Sequence, residues 1–170
     1  PNVPLVTIAG PSGTGKTILS VAAALEMCIN SNQYNRIKMF KSVTPIPKEE
    51  IGFIPGDISE KIKPIMGSFY DALEVLLGNT DVDKTLFQYK DKIRFEPLTY
   101  IRGQSIANSL IIIDEAQNLT RHDVKTIITR ISTGTKIIFL GDYNQIDVQY
   151  LDSTNNGLCH LIESFKYYDL

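Results

Sequence analysis

The stretch LVTIAGPSGTGKT, residues 5–17, passes from a short β-type apolar run into a glycine-rich turn that ends in Lys-Thr. Its last part, GPSGTGKT at 10–17, has the spacing G-x-x-x-x-G-K-[ST] and stands between a predicted strand and a predicted helix. Gly10, Gly13 and Gly15 let the backbone wrap closely, and with Pro11, Ser12 and Thr14 they form a loop whose N–H groups turn toward an anion. The helix opening near Gly15 adds the positive end of its dipole. Lys16 supplies a point charge for β- and γ-phosphates, and Thr17 supplies a hydroxyl for Mg²⁺. An ordinary glycine-rich strand–helix turn is the bland alternative. Spacing, residue types and context together argue against it.

A phosphate-binding loop of this kind calls for a carboxylate at the end of a second strand. LIIIDEAQNLT, residues 110–120, runs an aliphatic strand into Asp114 and Glu115. By itself this is a strand end meeting solvent. Beside the loop, Asp114 becomes the Mg²⁺-side carboxylate and Glu115 the general base for an attacking water. KIIFLGDYNQID, residues 136–147, is a third aliphatic strand with a polar tip. If that strand lies between the other two, Gln145 reaches the γ-phosphate and can tell triphosphate from diphosphate.

Apolar β-type runs alternate with helical patterns, which predicts an α/β fold with a mainly parallel sheet and helices on both faces. Strands are expected at 5–9, 36–40, 93–96, 110–113 and 136–140, and helices at about 15–30, 57–78, 120–132 and 156–167. Thr120 and Asp123 form a capping box for the third helix, with Val124, Ile127, Ile128 and Ile131 on one face. The second helix carries Ile58, Ile62, Ile65, Met66, Phe69, Leu73 and Leu76 at helical spacing, and Pro64 and Gly67 kink or divide it. GNTDVDK at 78–84 reads as a surface loop; its aspartates lack the rest of a calcium loop.

Composition sets outer limits. The 170 residues are 43% hydrophobic and 21% charged, which suits one domain with a continuous core. Lys and Arg number 17 against 19 Asp and Glu, so no wholesale polyanion-binding surface is indicated. Cys28 and Cys159, like His122 and His160, stand apart, without zinc-site spacing. Reduced thiols in the cytoplasm are the expectation. No segment reaches transmembrane length, and the opening residues lack the features of a signal peptide. The abrupt entry into a strand suggests a domain cut from a longer chain.

The three motifs, in this order and spacing, resemble motifs I, II and III of superfamily 1 helicases. IGFIPGDISEKIKPIMGSFYDALEVL, FEPLTYIRGQSI and DEAQNLTRHDVKTIITRISTGTKIIFLGD narrow the resemblance to the PhoH-like family, over nearly the whole chain. The branch it is most similar to carries an N-terminal PIN nuclease domain. The resemblance implies a three-layer RecA-like P-loop NTPase fold, ATP and Mg²⁺ binding, ATPase activity, and RNA helicase activity or a part in RNA metabolism. Carried over by position, Gly13, Gly15, Lys16 and Thr17 bind nucleotide and Mg²⁺, Asp114 and Glu115 form the Walker B pair, and Gln145 is the sensor. Three places depart from the family pattern. KSVTPIPKEE stands where members carry Arg-Pro, leaving Lys41 as the available charge; Gln104 replaces a frequent arginine; and Tyr143–Asn144 replaces a proline or threonine.

A superfamily 1 helicase has a second RecA-like domain that donates an arginine to the γ-phosphate, and this chain has no room for one. A homo-oligomer, plausibly a ring, is therefore expected, with Arg102 or Arg130 as the donated arginine. Each is alternatively a nucleic-acid contact or a plain surface residue. Lys38, Lys41, Lys48, Lys61 and Lys63, near Phe53, Tyr70 and Tyr100, form either a basic surface for RNA or single-stranded nucleic acid or a solvated mixed surface. Phe53 in IGFIPGD is either a partner contact or a hydrophobic staple. Two further readings stay open. One is a switch in which ATP controls oligomerisation or an attached nuclease. The other is a thymidine-kinase-like enzyme, whose zinc cysteines and nucleoside lasso are not visible here.

Overall fold

The computed structural model describes residues 3–42, 63–78 and 81–166. Five strands form one sheet: β1 (Leu5–Ala9), β2 (Arg36–Lys41), β3 (Ile93–Pro97), β4 (Ser109–Asp114) and β5 (Lys136–Gly141). All pairings are parallel and the order is β1-β5-β4-β2-β3. Strand β5 thus lies between β1 and β4, as the third motif requires, with Leu5 opposite Ile137 and Ile113 opposite Phe139.

Helices cover both faces, because β4 and β5 are apolar on both sides and every residue of each is buried. Leu110, Ile112, Ile138 and Leu140 face α1 (Lys16–Leu25), α2 (Gly67–Leu77) and α3 (Val82–Gln88), packing with Val21, Phe69 and Leu73. The alternate residues Ile111, Ile113, Ile137 and Phe139 face α4 (Arg121–Ile128) and α5 (Gly157–Phe165), packing with Val124, Ile127 and Leu158. This is the three-layer α/β arrangement expected of the RecA type.

Helix α1 continues from Glu26 to Asn30 as a π turn. Helix α2 begins at Gly67, after Pro64, as a dividing proline predicts; the expected portion at 57–62, with Ile58 and Ile62, lies outside the described residues. Thr120 and Asp123 make the reciprocal capping box. Burial pushes the Asp123 carboxyl up, but hydrogen bonds from Thr120 and Arg102 outweigh it and hold the group below its ordinary value.

Two expectations are corrected. GNTDVDK is not simply a loop: Asp81 caps α3 by accepting from Lys84 N–H at 3.2 Å, and Asp83 pairs with Lys63 at 2.6 Å. Lys38 does not belong to a surface, basic or mixed, either. It is buried, because it shares a strand face with Phe40, and its ammonium donates to Glu96 Oε1 at 3.0 Å and Gln104 Oε1 at 2.5 Å. Lys63 sits over the Tyr70 ring, which stacks on Phe95 with centroids 5.1 Å apart. Lys48, Lys61 and Phe53 lie outside the described residues.

Candidate functional site

The carboxyl ends of β1, β5 and β4 converge on one cleft of about 460 Å³, within the range of small-molecule sites. Gly13 and Gly15 adopt φ of 76° and 86°, a left-handed conformation that makes glycine the fitting residue at both positions. Gly10 N–H donates to Gly141 O at 3.1 Å, tying the loop to β5. Thr14 Oγ1 donates to Pro11 O at 2.8 Å and closes the turn. Lys16 Nζ donates to the carbonyls of Gly10 and Pro11, both at 2.8 Å, so its charge lies across the mouth of the loop.

Asp114 ends β4 and is buried. Its Oδ1 accepts from Glu115 N–H at 3.1 Å and its Oδ2 from Ser68 Oγ at 3.0 Å. Glu115 turns the chain at φ 57°, an uncommon conformation for a non-glycine, costing roughly 1–2 kcal/mol. The two neighbouring acids take different partners, Asp114 accepting from Ser68 and Glu115 from Gln117. Lys41 brings a positive charge to 4.0 Å from Glu115 Oε1.

Gln117, wholly buried, joins the second and third motifs. Its Nε2 donates to Glu115 Oε2 at 2.6 Å and to Gln145 O at 2.9 Å, and its Oε1 accepts from Asp142 N–H at 3.1 Å. Asn118 continues the link: its amide donates to Asp147 Oδ2 at 3.1 Å and accepts from Asp147 N–H at 2.9 Å.

Ser12, Gly13, Gly15, Lys16 and Thr17 line the cleft together with Asp114, Glu115 and Gln145, so the three motifs meet there. Gly10, Pro11 and Thr14 shape the loop from behind. Neither arginine lines it. Arg102 lies at a separate cavity of about 180 Å³ beside Tyr150 and donates to Asp123 Oδ1 at 3.1 Å. Arg130 follows α4, where its carbonyl accepts from Ile106 N–H at 2.9 Å, near the amino ends of the strands and away from the cleft.

Sequence reasoning missed two contributors. Ser68, Asp71, Ala72 and Val75 present one face of α2 to the cleft; their i, i+3, i+4, i+7 spacing is legible, but the target of that face is not. Asp142 is the other. Its buried carboxylate accepts from Ser12 N–H at 3.1 Å and Asn144 N–H at 3.0 Å, joining the β5 tip to the glycine-rich loop. For a divalent cation, the Thr17 hydroxyl and the Asp114 carboxylate give hard oxygen donors lining the same cleft, and each Asp114 oxygen takes one donor among the described residues. That set fits Mg²⁺, which favours one or two protein oxygens with phosphate and water completing the shell.

The chain is 46% identical over 168 residues to Protein PhoH2 of Bacillus subtilis (strain 168), covering 97% of this chain and 38% of that protein. It is 38% identical over 162 residues to a PhoH-like protein of the same organism, covering 94% of this chain and 48% of that one. With Protein PhoH2 of Mycolicibacterium smegmatis the identity is 30% over 169 residues, or 99% of this chain and 38% of the relative. The chain therefore spans less than half the length of each. Among solved structures, the Phi-28 gp11 DNA packaging motor aligns over 83% of this chain and 47% of its own, at 14% identity and a TM-score of 0.46. The family described as "PhoH-like protein" matches residues 2–169. With that span and those identities, the chain belongs to the PhoH-like family, and its fold is that of a P-loop NTPase.

Proposed function

We propose that the chain binds ATP with Mg²⁺ and hydrolyses it, and that hydrolysis drives remodelling of RNA or another single strand. The observation that carries this reading is the meeting of Lys16, Thr17, Asp114, Glu115 and Gln145 in one cleft at the strand ends. Nucleotide phosphates occupy the loop of residues 10–17, and Lys16 exchanges its two carbonyl partners for phosphate oxygens. When bound, Mg²⁺ neutralises charge on the β- and γ-phosphate oxygens; Thr17 and Asp114 are the residues that hold it. Glu115, its carboxylate fixed by Gln117, takes a proton from water as the water oxygen bonds to the γ-phosphorus and the bond to the diphosphate breaks. Gln145 reads the γ-phosphate, and because Gln117 holds both Glu115 and the Gln145 carbonyl, that reading passes into the segment ending at Asp147.

The resemblance supports a nucleic-acid partner and a PIN nuclease domain in the whole protein, and the two isolated cysteines support a cytoplasmic setting. A homo-oligomeric ring is supported by a site whose own arginines lie elsewhere, with Arg102 or Arg130 donated by a neighbouring copy. The test is phosphate release with and without single-stranded RNA or DNA, for wild type and Glu115→Gln. Strand-stimulated release that falls about 10²–10⁴-fold in the variant is expected. Hydrolysis indifferent to any strand would overturn the coupling in favour of a switch, and phosphate transfer to a nucleoside would overturn hydrolysis.

A further inference from the structure

We propose that Ser68 is a positioning residue for the divalent cation, acting through Asp114. The inference rests on the reading above, in which Asp114 faces nucleotide-bound Mg²⁺. Serine in a first helical turn ordinarily bonds its own backbone. The Ser68 hydroxyl instead crosses to Asp114 Oδ2 at 3.0 Å, and α2 has no side-chain cap. The bond is anchored on both sides. Phe69 and Leu73 bury α2 against the sheet, and Glu115 N–H holds the other carboxylate oxygen at 3.1 Å. With a donor on each oxygen, the carboxylate cannot rotate freely, and among the described residues a lone pair on each remains for the cleft. Outer partners of this kind typically change metal affinity 10–100-fold when removed.

Ser68 also joins the cleft to the face of α2 that carries Asp71, Ala72 and Val75, so the placement of that helix sets the plane of the metal carboxylate. A hydroxyl that merely pinned α2 to the sheet would affect binding with and without metal alike. A positioning hydroxyl affects only the increment that metal adds.

The experiment titrates a fluorescent ATP analogue into the chain, first in EDTA and then across a Mg²⁺ series, with an unfolding temperature for each variant. Ser68→Ala is expected to raise the half-saturating Mg²⁺ about 10-fold while leaving affinity in EDTA unchanged. Ser68→Thr, which keeps the hydroxyl, is expected to titrate like wild type. If the alanine variant is unstable, Ser68→Cys, with its weak S–H donor, gives the same comparison. A Mg²⁺ series identical to wild type overturns the proposal, as does an equal loss of affinity in EDTA. A wild-type chain whose analogue binding ignores Mg²⁺ overturns the metal reading itself, a result distinguishable from failure at Ser68 alone.

Discussion

Replacing Gln117 by leucine tests whether one buried amide holds two motifs in register. Leucine approximates the volume, so little cavity opens, and the change isolates three hydrogen bonds. Asp142 N–H is buried and loses its partner, at about 1–3 kcal/mol. The Gln145 carbonyl belongs to an exposed residue and recovers water, so its loss is about 1 kcal/mol. The Glu115 side chain is 35% exposed and rehydrates, adding little to stability. The sum is about 2–4 kcal/mol. For a chain of 170 residues at roughly 2–4 °C per kcal/mol, the melting temperature falls by about 4–16 °C. Urea melts followed by circular dichroism measure the free energy, and steady-state phosphate release measures the second consequence, a fall of about 10-fold or more as the Glu115 carboxylate loses its orientation. A variant within about 0.5 kcal/mol of wild type, hydrolysing at the wild-type rate, would refute the clamp.

Other outcomes follow from separate parts of the molecule. Lys16→Ala is expected to abolish binding of a fluorescent ATP analogue while leaving the melting temperature within a few degrees. Gly157→Ala places a Cβ 2.8 Å from Leu119 O and from Val124 Cγ2, and should destabilise by about 1–3 kcal/mol in urea. Thr120→Ala removes the α4 cap at about 1 kcal/mol. Because the Asp123 carboxyl is held below its ordinary value, its stabilisation is present above about pH 4 and is lost as pH falls through the lowered folded value. Asp123→Asn should flatten that acid limb. Burial, opposed by the Lys92 charge, pushes the Cys28 thiol up to about 12, so alkylation of Cys28 at pH 8 should wait for unfolding, as mass spectrometry of the labelled peptide would read.

The centre of the sheet was legible because β4 and β5 are short aliphatic runs buried on both faces, a pattern set by the residues themselves. Strand ends shifted by about one position, since Ser109, Asp114 and Gly141 pair in the ladder without looking apolar. Helix α3 was hidden among Asn, Thr and Asp, although Asp81 was itself the capping signal. Lys38 misled because charge was weighed before strand alternation, which places it beside Phe40. The glycine-rich loop and the Asp114–Glu115 pair were readable from local spacing. Ser68, Asp71 and Asp142 were not, because their roles depend on which elements the fold brings alongside: α2 against β4, and the β5 tip against the loop.

The place of β1 in the sheet bears on the order in which the protein is made. Among the described residues, β1 pairs only with β5, Leu5 opposite Ile137 and Ala9 opposite Gly141. In a nascent chain the glycine-rich loop therefore emerges on a strand whose neighbour has not yet been synthesised. The amide of Gly10 finds its acceptor, and that of Ser12 its carboxylate, only once Gly141 and Asp142 have left the ribosome. Such long-range pairing is slow to form. Of the three motifs, the first translated thus matures with β5, the last translated of the described strands, and exchange protection of the Gly10 and Ser12 amides would report completion of the sheet.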